Sequence, residues 1–159
     1  MDRSQRTLVL GVGNRLRGDD GLAEVIISCL MAHDLPEHVD TIPEGTPGLD
    51  LLLTFEGYDK LILVDAAEMG VEAGSWQRIL IDPADLKQRH LFGTLHNAGV
   101  AEALVLAEAL GKLPRLIVLF GVQPARLDWE IGLSDAVEKA VSQVCAALHA
   151  ELTKDQPPV

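Results

Sequence analysis

Only two cysteines, Cys29 and Cys145, occur in the 159 residues. Each falls within a helical apolar pattern, so both read as small core residues rather than a disulfide or a metal pair. A reducing cytoplasm is the simplest compartment for such a chain. Positive charge is also scarce. Thirteen Lys and Arg stand against 24 Asp and Glu, a formal net charge of −11. That balance argues against nucleic-acid backbones and anionic membrane surfaces as partners. No apolar run approaches the roughly 18 residues of a membrane helix. The opening MDRSQRTLVLGVG has no long hydrophobic region and no small-residue cleavage site, so no signal peptide is read there. Internal repeats, low-complexity stretches and linkers are missing as well. What remains is 48% apolar, the content of an ordinary globular protein. One domain over residues 1–159 is expected, ending in a loose tail at 155–159.

Residues Thr7 to Gly21, TLVLGVGNRLRGDDG, organise the chain. Thr7 to Val12 reads as a strand covered on both faces. Gly11, Gly13 and Gly18 allow a sharp turn and a close backbone approach. Asp19 and Asp20 then open an apolar-periodic helix with Leu22, Val25, Ile26, Cys29 and Leu30 on one face. Carboxylates there complement the positive helix end.

Further strands are expected at Val39–Ile42, Lys60–Ala66, Trp76–Ile81 and Arg115–Val122, the fourth of the five as an antiparallel edge. A short helix is expected at Leu49–Phe55, and a turn or short helix at Pro83–Gln88. A longer helix follows Asn97 as its N-cap, with Val100, Leu104, Ala107 and Leu110 inward and a stop at Gly111. Ser134 is read as the cap of the last helix, whose inner face carries Val137, Ala140, Val141, Val144 and Leu148. Strand–helix alternation with buried strands implies an α/β, three-layer αβα sandwich: a doubly wound, mostly parallel sheet of about five strands.

Several common chemistries find no motif. Gly11-Val12-Gly13 begins like a dinucleotide fingerprint, but the third glycine would fall at Leu16. No phosphate P-loop occurs. No serine lies in G-x-S-x-G, and Ser28 and Cys29 are internal to a helix, so a resident nucleophile is not expected. What the pattern offers instead is a constellation. Asp20 follows the first strand, Asp65 closes the third, and His96 precedes a helix. First and third strands are neighbours in the flavodoxin-like order, and ligands bind at the carboxyl ends of such strands. Two carboxylates and an imidazole suit a first-row divalent metal such as Ni or Zn, with a coordination position left open. Taken singly, each residue has a plainer reading: a helix cap for Asp19 or Asp20, a solvated strand end for Asp65, a hydrogen-bonded loop residue for His96. His33, His38, His90 and His149 read as surface or linker histidines.

The motifs Gly11-Val12-Gly13-Asn14, Gly18-Asp19-Asp20-Gly21, Ile62-Leu63-Val64-Asp65-Ala66, His96-Asn97 and Leu119-Phe120-Gly121-Val122-Gln123-Pro124 run in one order along almost the whole chain. In that order the sequence resembles the hydrogenase maturation endopeptidases. The resemblance implies a metal-dependent endopeptidase, aspartic-type by family classification. It implies removal of a C-terminal extension from the nickel–iron hydrogenase large-subunit precursor once nickel is installed. The family's metal ligands, which are also its catalytic residues, match Asp20, Asp65 and His96. Gly45, Thr46 and Asn97 are the corresponding substrate-binding candidates, and Asp19 is a helix-start residue. Nickel would arrive with the precursor, and no organic cofactor is implied. One departure stands out: the second loop, often Asp-Gly-Gly-Thr in the family, reads Pro43-Glu44-Gly45-Thr46 here, which leaves the substrate subgroup open.

Two other readings use the same residues. A phosphoacceptor receiver domain also pairs acidic residues after strand one with an aspartate after strand three. It fits poorly with the Asn14–Gly18 loop, the absence of a lysine after Val122 and the extra strand at Trp76–Ile81. A non-catalytic chaperone that senses nickel would keep the ligands and cut nothing. A cytoplasmic monomer is expected, since no apolar stripe is left unassigned.

Overall fold

The computed structural model describes residues 5–45, 50–85 and 98–154. Its strands are β1 (Thr7–Val12), β2 (Val39–Gly45), β3 (Lys60–Ala66), β4 (Trp76–Ile81) and β5 (Leu116–Val122). Its helices are α1 (Leu22–Met31), α2 (Leu51–Phe55), α3 (Ala98–Ala109) and α4 (Asp135–Lys154). The sheet order is β2-β1-β3-β5-β4. Pairings β1–β2, β1–β3 and β3–β5 are parallel, and β4 lies antiparallel on the β5 edge.

Side-chain alternation along the strands divides the core in two. Leu8, Leu10, Leu61, Leu63, Ile117 and Leu119 face α2 and α3. Val9, Ile62, Val64, Val118 and Phe120 face α1 and α4. Both faces of β1 and β3 are therefore covered, and every residue of either strand is buried. That is why they read as unbroken apolar runs. The expected αβα sandwich is the observed architecture.

Several local expectations shift. In α1 the buried residues are Leu22, Ala23, Ile26, Ile27 and Leu30, while Val25 is 44% exposed. This helix packs on the sheet and on α4 together, so its inner arc is rotated from the expected stripe. Leu110 is exposed rather than inward, because α3 ends at Ala109 and Gly111 turns the chain at φ +67°. β2 runs to Gly45 instead of Ile42, since a register irregularity brings Gly45 opposite Val12. α2 begins at Leu51, and Pro83–Asp85 forms one 3₁₀ turn. In α4 the inner face holds as expected, joined by Cys145 and Leu152, with Val141 partly buried. Ser134 Oγ accepts the Val137 N–H at 3.4 Å, the capping bond expected of it. The Asn97 cap lies outside the described residues, as does the 155–159 tail.

At the amino end of β3 a buried ion cluster ties α4 to the sheet. Lys60 Nζ lies 3.1 Å from Glu151 Oε1, and both side chains are nearly enclosed. Arg78 of β4 grips the same carboxylate with two bonds of 2.8 Å. Burial alone would push the Glu151 carboxyl up, but the bonds from Arg78 and Lys60 outweigh it and hold it below the usual glutamate range. Stability contributed by such a lowered group is present above the unfolded pKa and lost as pH falls through the folded one. Replacing Glu151→Gln is therefore expected to cost about 2–3 kcal/mol at pH 7, because the Lys60 ammonium loses a buried counter-charge. The difference from the parent chain narrows below about pH 4. Urea unfolding of both proteins at the two pH values checks it.

Candidate active site at the carboxyl ends of β1 and β3

Register brings Asp65 to the end of β1. Gly11 of β1 lies opposite Val64 of β3, so Asp65 emerges one step further, beside the end of β1. On its other side Asp65 pairs with Gly121 of β5. Its parity is that of Leu61 and Leu63, the face covered by α2 and α3. Asp65 is 1% exposed, so it is no solvated strand end.

Asp20 reaches the same edge through a tight loop. Asn14 begins it: its side-chain carbonyl accepts the Leu16 N–H at 2.9 Å, and its main-chain carbonyl accepts the Arg17 N–H at 3.0 Å. Gly18–Gly21 then forms a 3₁₀ turn that runs into α1. Gly13, at φ +148°, is required where the loop closes. A Cβ there would run into the main-chain carbonyl of Asp20. This close approach lets the Asn14 N–H donate to Asp20 Oδ2 at 2.9 Å. The other oxygen, Oδ1, is buried with no hydrogen-bond partner among the described residues. Asp20 also lines a small cavity of about 10 Å³ with Gly13, Arg15 and Pro43. That volume is about one water-sized body. A buried carboxylate oxygen without a donor is costly, and a cation or a water removes the cost. A divalent cation therefore fits beside Asp20.

Asp19, the preceding residue, does something the sequence did not suggest. Its position in the first turn matches the helix-start expectation, but its carboxylate points away from any capping role. Oδ2 accepts from the Ala125 N–H at 2.8 Å, the Arg126 N–H at 3.0 Å and Ser134 Oγ at 2.9 Å. Oδ1 accepts from the Ser134 N–H at 2.7 Å. The Gly18 and Asp19 N–H groups donate back to Glu130 and Arg126 carbonyls at 2.7 and 2.9 Å. The segment Pro124–Leu133 is thus sewn to the Asp20 loop. It was not picked out in the sequence, where the only signal was an aspartate pair with more carboxylate than one cap requires.

This joint walls an open groove of about 370 Å³ lined by Arg15, Gly18, Gly21, Glu24, Val25 and Ile131 among others. Ile131 is 73% exposed and Trp129 76% exposed, with the Arg17 guanidinium 5.4 Å from the Trp129 ring centroid. Gln123, at the end of β5, is buried and braces the neighbouring loop: its Oε1 accepts the Met69 N–H at 2.7 Å and its Nε2 donates to Glu68 at 2.9 Å.

Of the expected site residues, Asp20 and Asp65 come to one edge of the sheet. His96, Asn97 and Thr46 lie outside the described residues. Gly45 ends β2 beside Val12, on the same edge. The receiver-domain reading does not survive the antiparallel β4 edge together with the comparisons that follow.

A family profile described as hydrogenase maturation protease matches residues 24–151. The hydrogenase 2 maturation protease of Escherichia coli K12 is 35% identical over 152 residues, which cover 91% of each chain. A hydrogenase expression/formation protein, HupD of Bradyrhizobium diazoefficiens, is 31% identical over 152 residues, covering 92% of this chain and 79% of its own. Among solved structures, the hydrogenase maturating endopeptidase HybD of E. coli superposes with a TM-score of 0.82 at 29% identity, covering 94% and 93% of the two chains. The HycI [NiFe] hydrogenase maturation protease of Thermococcus kodakarensis superposes with a TM-score of 0.68 at 25% identity over 95% and 94%. On sequence and fold together, this chain belongs to the hydrogenase maturation protease family.

Proposed function

We propose that the protein is the endopeptidase that removes the C-terminal extension of a nickel–iron hydrogenase large-subunit precursor after nickel insertion. The observation that carries this reading is Asp20 Oδ1, a buried carboxylate oxygen with no hydrogen-bond partner among the described residues, at the edge that also receives Asp65. Nickel enters as part of the substrate, held by Asp20, Asp65 and His96; bound there, it can polarise the scissile carbonyl or acidify a water. The chain's own work is positioning. The Asn14 N–H holds Asp20 in one orientation, and the groove walled by Ile131 and Val25 offers an apolar track for an extended peptide. One of the two aspartates serves as general base for the attacking water. Gly45, Thr46 and Asn97 bind the precursor backbone around the cut. The protein works as a monomer in the cytoplasm, as one domain over residues 1–159.

The test is incubation with a cognate precursor loaded with nickel, beside the same precursor without it, followed by mass spectrometry. Loss of the extension only from the loaded form is expected. Cleavage of both would remove nickel from recognition. Cleavage of neither would replace the protease with a nickel-sensing chaperone.

A further inference from the structure

A second cluster of metal-binding side chains lies on the opposite helical layer from the face to which Asp65 belongs. Cys29 and His33 are four residues apart at the end of α1, and Cys145 and His149 are four residues apart on α4. The helices pack side by side. From the sequence alone the two cysteines read as small core residues and the two histidines as surface or linker ones. The fold instead puts one ligand atom each of Cys29, His33 and Cys145 within 4.8 Å of one another. The His33 and His149 rings are 5.0 Å apart between centroids.

We propose that Cys29, Cys145, His33 and His149 form a zinc site that clamps α1 to α4. Two sulfurs and two imidazoles are the donor set of closed, tetrahedral zinc. Zinc–sulfur and zinc–nitrogen bonds of about 2.3 and 2.0 Å place tetrahedral ligand atoms roughly 3.3–3.8 Å apart. For Cys29, His33 and Cys145 the present spacing, within 4.8 Å, exceeds that by at most about 1.5 Å; side-chain rotation closes the gap and turns the His149 ring from beside His33 to supply the fourth donor. Both cysteines are free thiols, Cys145 buried and Cys29 partly so, while His33 is exposed and gives the ion a way in. Packing alone explains a buried Cys145, but not a second thiol and an imidazole meeting it, with the His149 ring next to that imidazole. The site is built from none of the residues that line the Asp20 edge, so it does not depend on the proposed protease chemistry.

Cobalt(II) is the probe. The reduced, metal-free full chain is titrated with Co²⁺ and followed by absorption. One equivalent should raise a sulfur-to-cobalt charge-transfer band together with the intense visible bands of a tetrahedral ion, and Zn²⁺ should bleach both. Cys145→Ser and the more exposed Cys29→Ser should each lower the charge-transfer band by at least about half, and the double variant should abolish it, with folding checked by circular dichroism. His33→Ala should weaken cobalt binding at least about tenfold. Asp20→Asn should leave the spectrum intact, which separates this site from the sheet edge. Zn²⁺ should raise the Tm of the parent chain and not that of Cys29→Ser. Cobalt binding without a sulfur band, a band undiminished in Cys29→Ser in a folded protein, or formation of a Cys29–Cys145 disulfide as the sole response would overturn the proposal.

Discussion

Asp20→Asn is expected to give a folded protein that processes the nickel-loaded precursor at least about a thousandfold more slowly. The amide has the carboxylate's shape. Its oxygen can still accept the Asn14 N–H that Oδ2 accepts now. At the place of Oδ1 it presents an N–H₂ group, which can neither ligate a metal nor take a proton. The same replacement removes a buried oxygen that has no hydrogen-bond partner among the described residues. Thermal stability should therefore be unchanged or slightly higher, since the uncompensated carboxylate is what costs energy in the free protein. That combination, lost cleavage with retained Tm, distinguishes a functional carboxylate from a structural one. Rate and melting curve are measured on the same preparation. Processing at the parent rate would remove Asp20 from the site.

Asp19→Ala should do the reverse: damage the fold first and cleavage as a consequence. The Asp19 carboxylate is fully buried and accepts four hydrogen bonds, three from main-chain N–H groups and one from a hydroxyl. Bonds to a carboxylate are among the stronger ones, and each donor stranded by truncation costs about 1–3 kcal/mol, less than additively. A net loss of about 4 kcal/mol is expected, or a Tm lower by roughly 10 °C for a chain of this size. Because the released segment carries Ile131, the groove beside Asp20 should loosen too, and the Michaelis constant for the precursor should rise. Urea unfolding at neutral pH gives the free energy. A loss below about 1 kcal/mol would show that the segment is held by other contacts. Two aspartates adjacent in sequence thus carry opposite kinds of result.

That contrast also marks how far the sequence could be read. β1, β3 and β5 were legible because a strand buried on both faces reads as an unbroken apolar run, with polar residues such as Thr7, Lys60 and Asp65 only at or near its ends. β4 was legible from a partial alternation of apolar and polar residues, and its exposed Gln77, Arg78 and Leu80 are those of an edge strand. The last helix was legible from Ser134 onward, since a cap and an apolar period agree there. Less legible were the phases of α1 and the end of α3. Periodicity says that a helix has an inner side, but not which neighbours share it, and α1 answers to the sheet and to α4 at once. For the site, Asp20 and Asp65 were found by their place after strands one and three.

The sequence by itself determined the layer architecture, the strand neighbours that bring Asp20 and Asp65 to one edge, and the family resemblance carried by its glycine and aspartate motifs. These rest on local signals: period, turn residues and runs of apolar side chains. The tertiary structure alone decided that Asp19 holds the Pro124–Leu133 segment and that one Asp20 oxygen is buried with no partner among the described residues. It also decided that Cys29 meets Cys145 across the α1–α4 contact. The Asp19 and cysteine contacts join residues more than a hundred positions apart. No local pattern encodes such a meeting, because it follows from how two packed layers are rotated against each other, which the whole core settles at once.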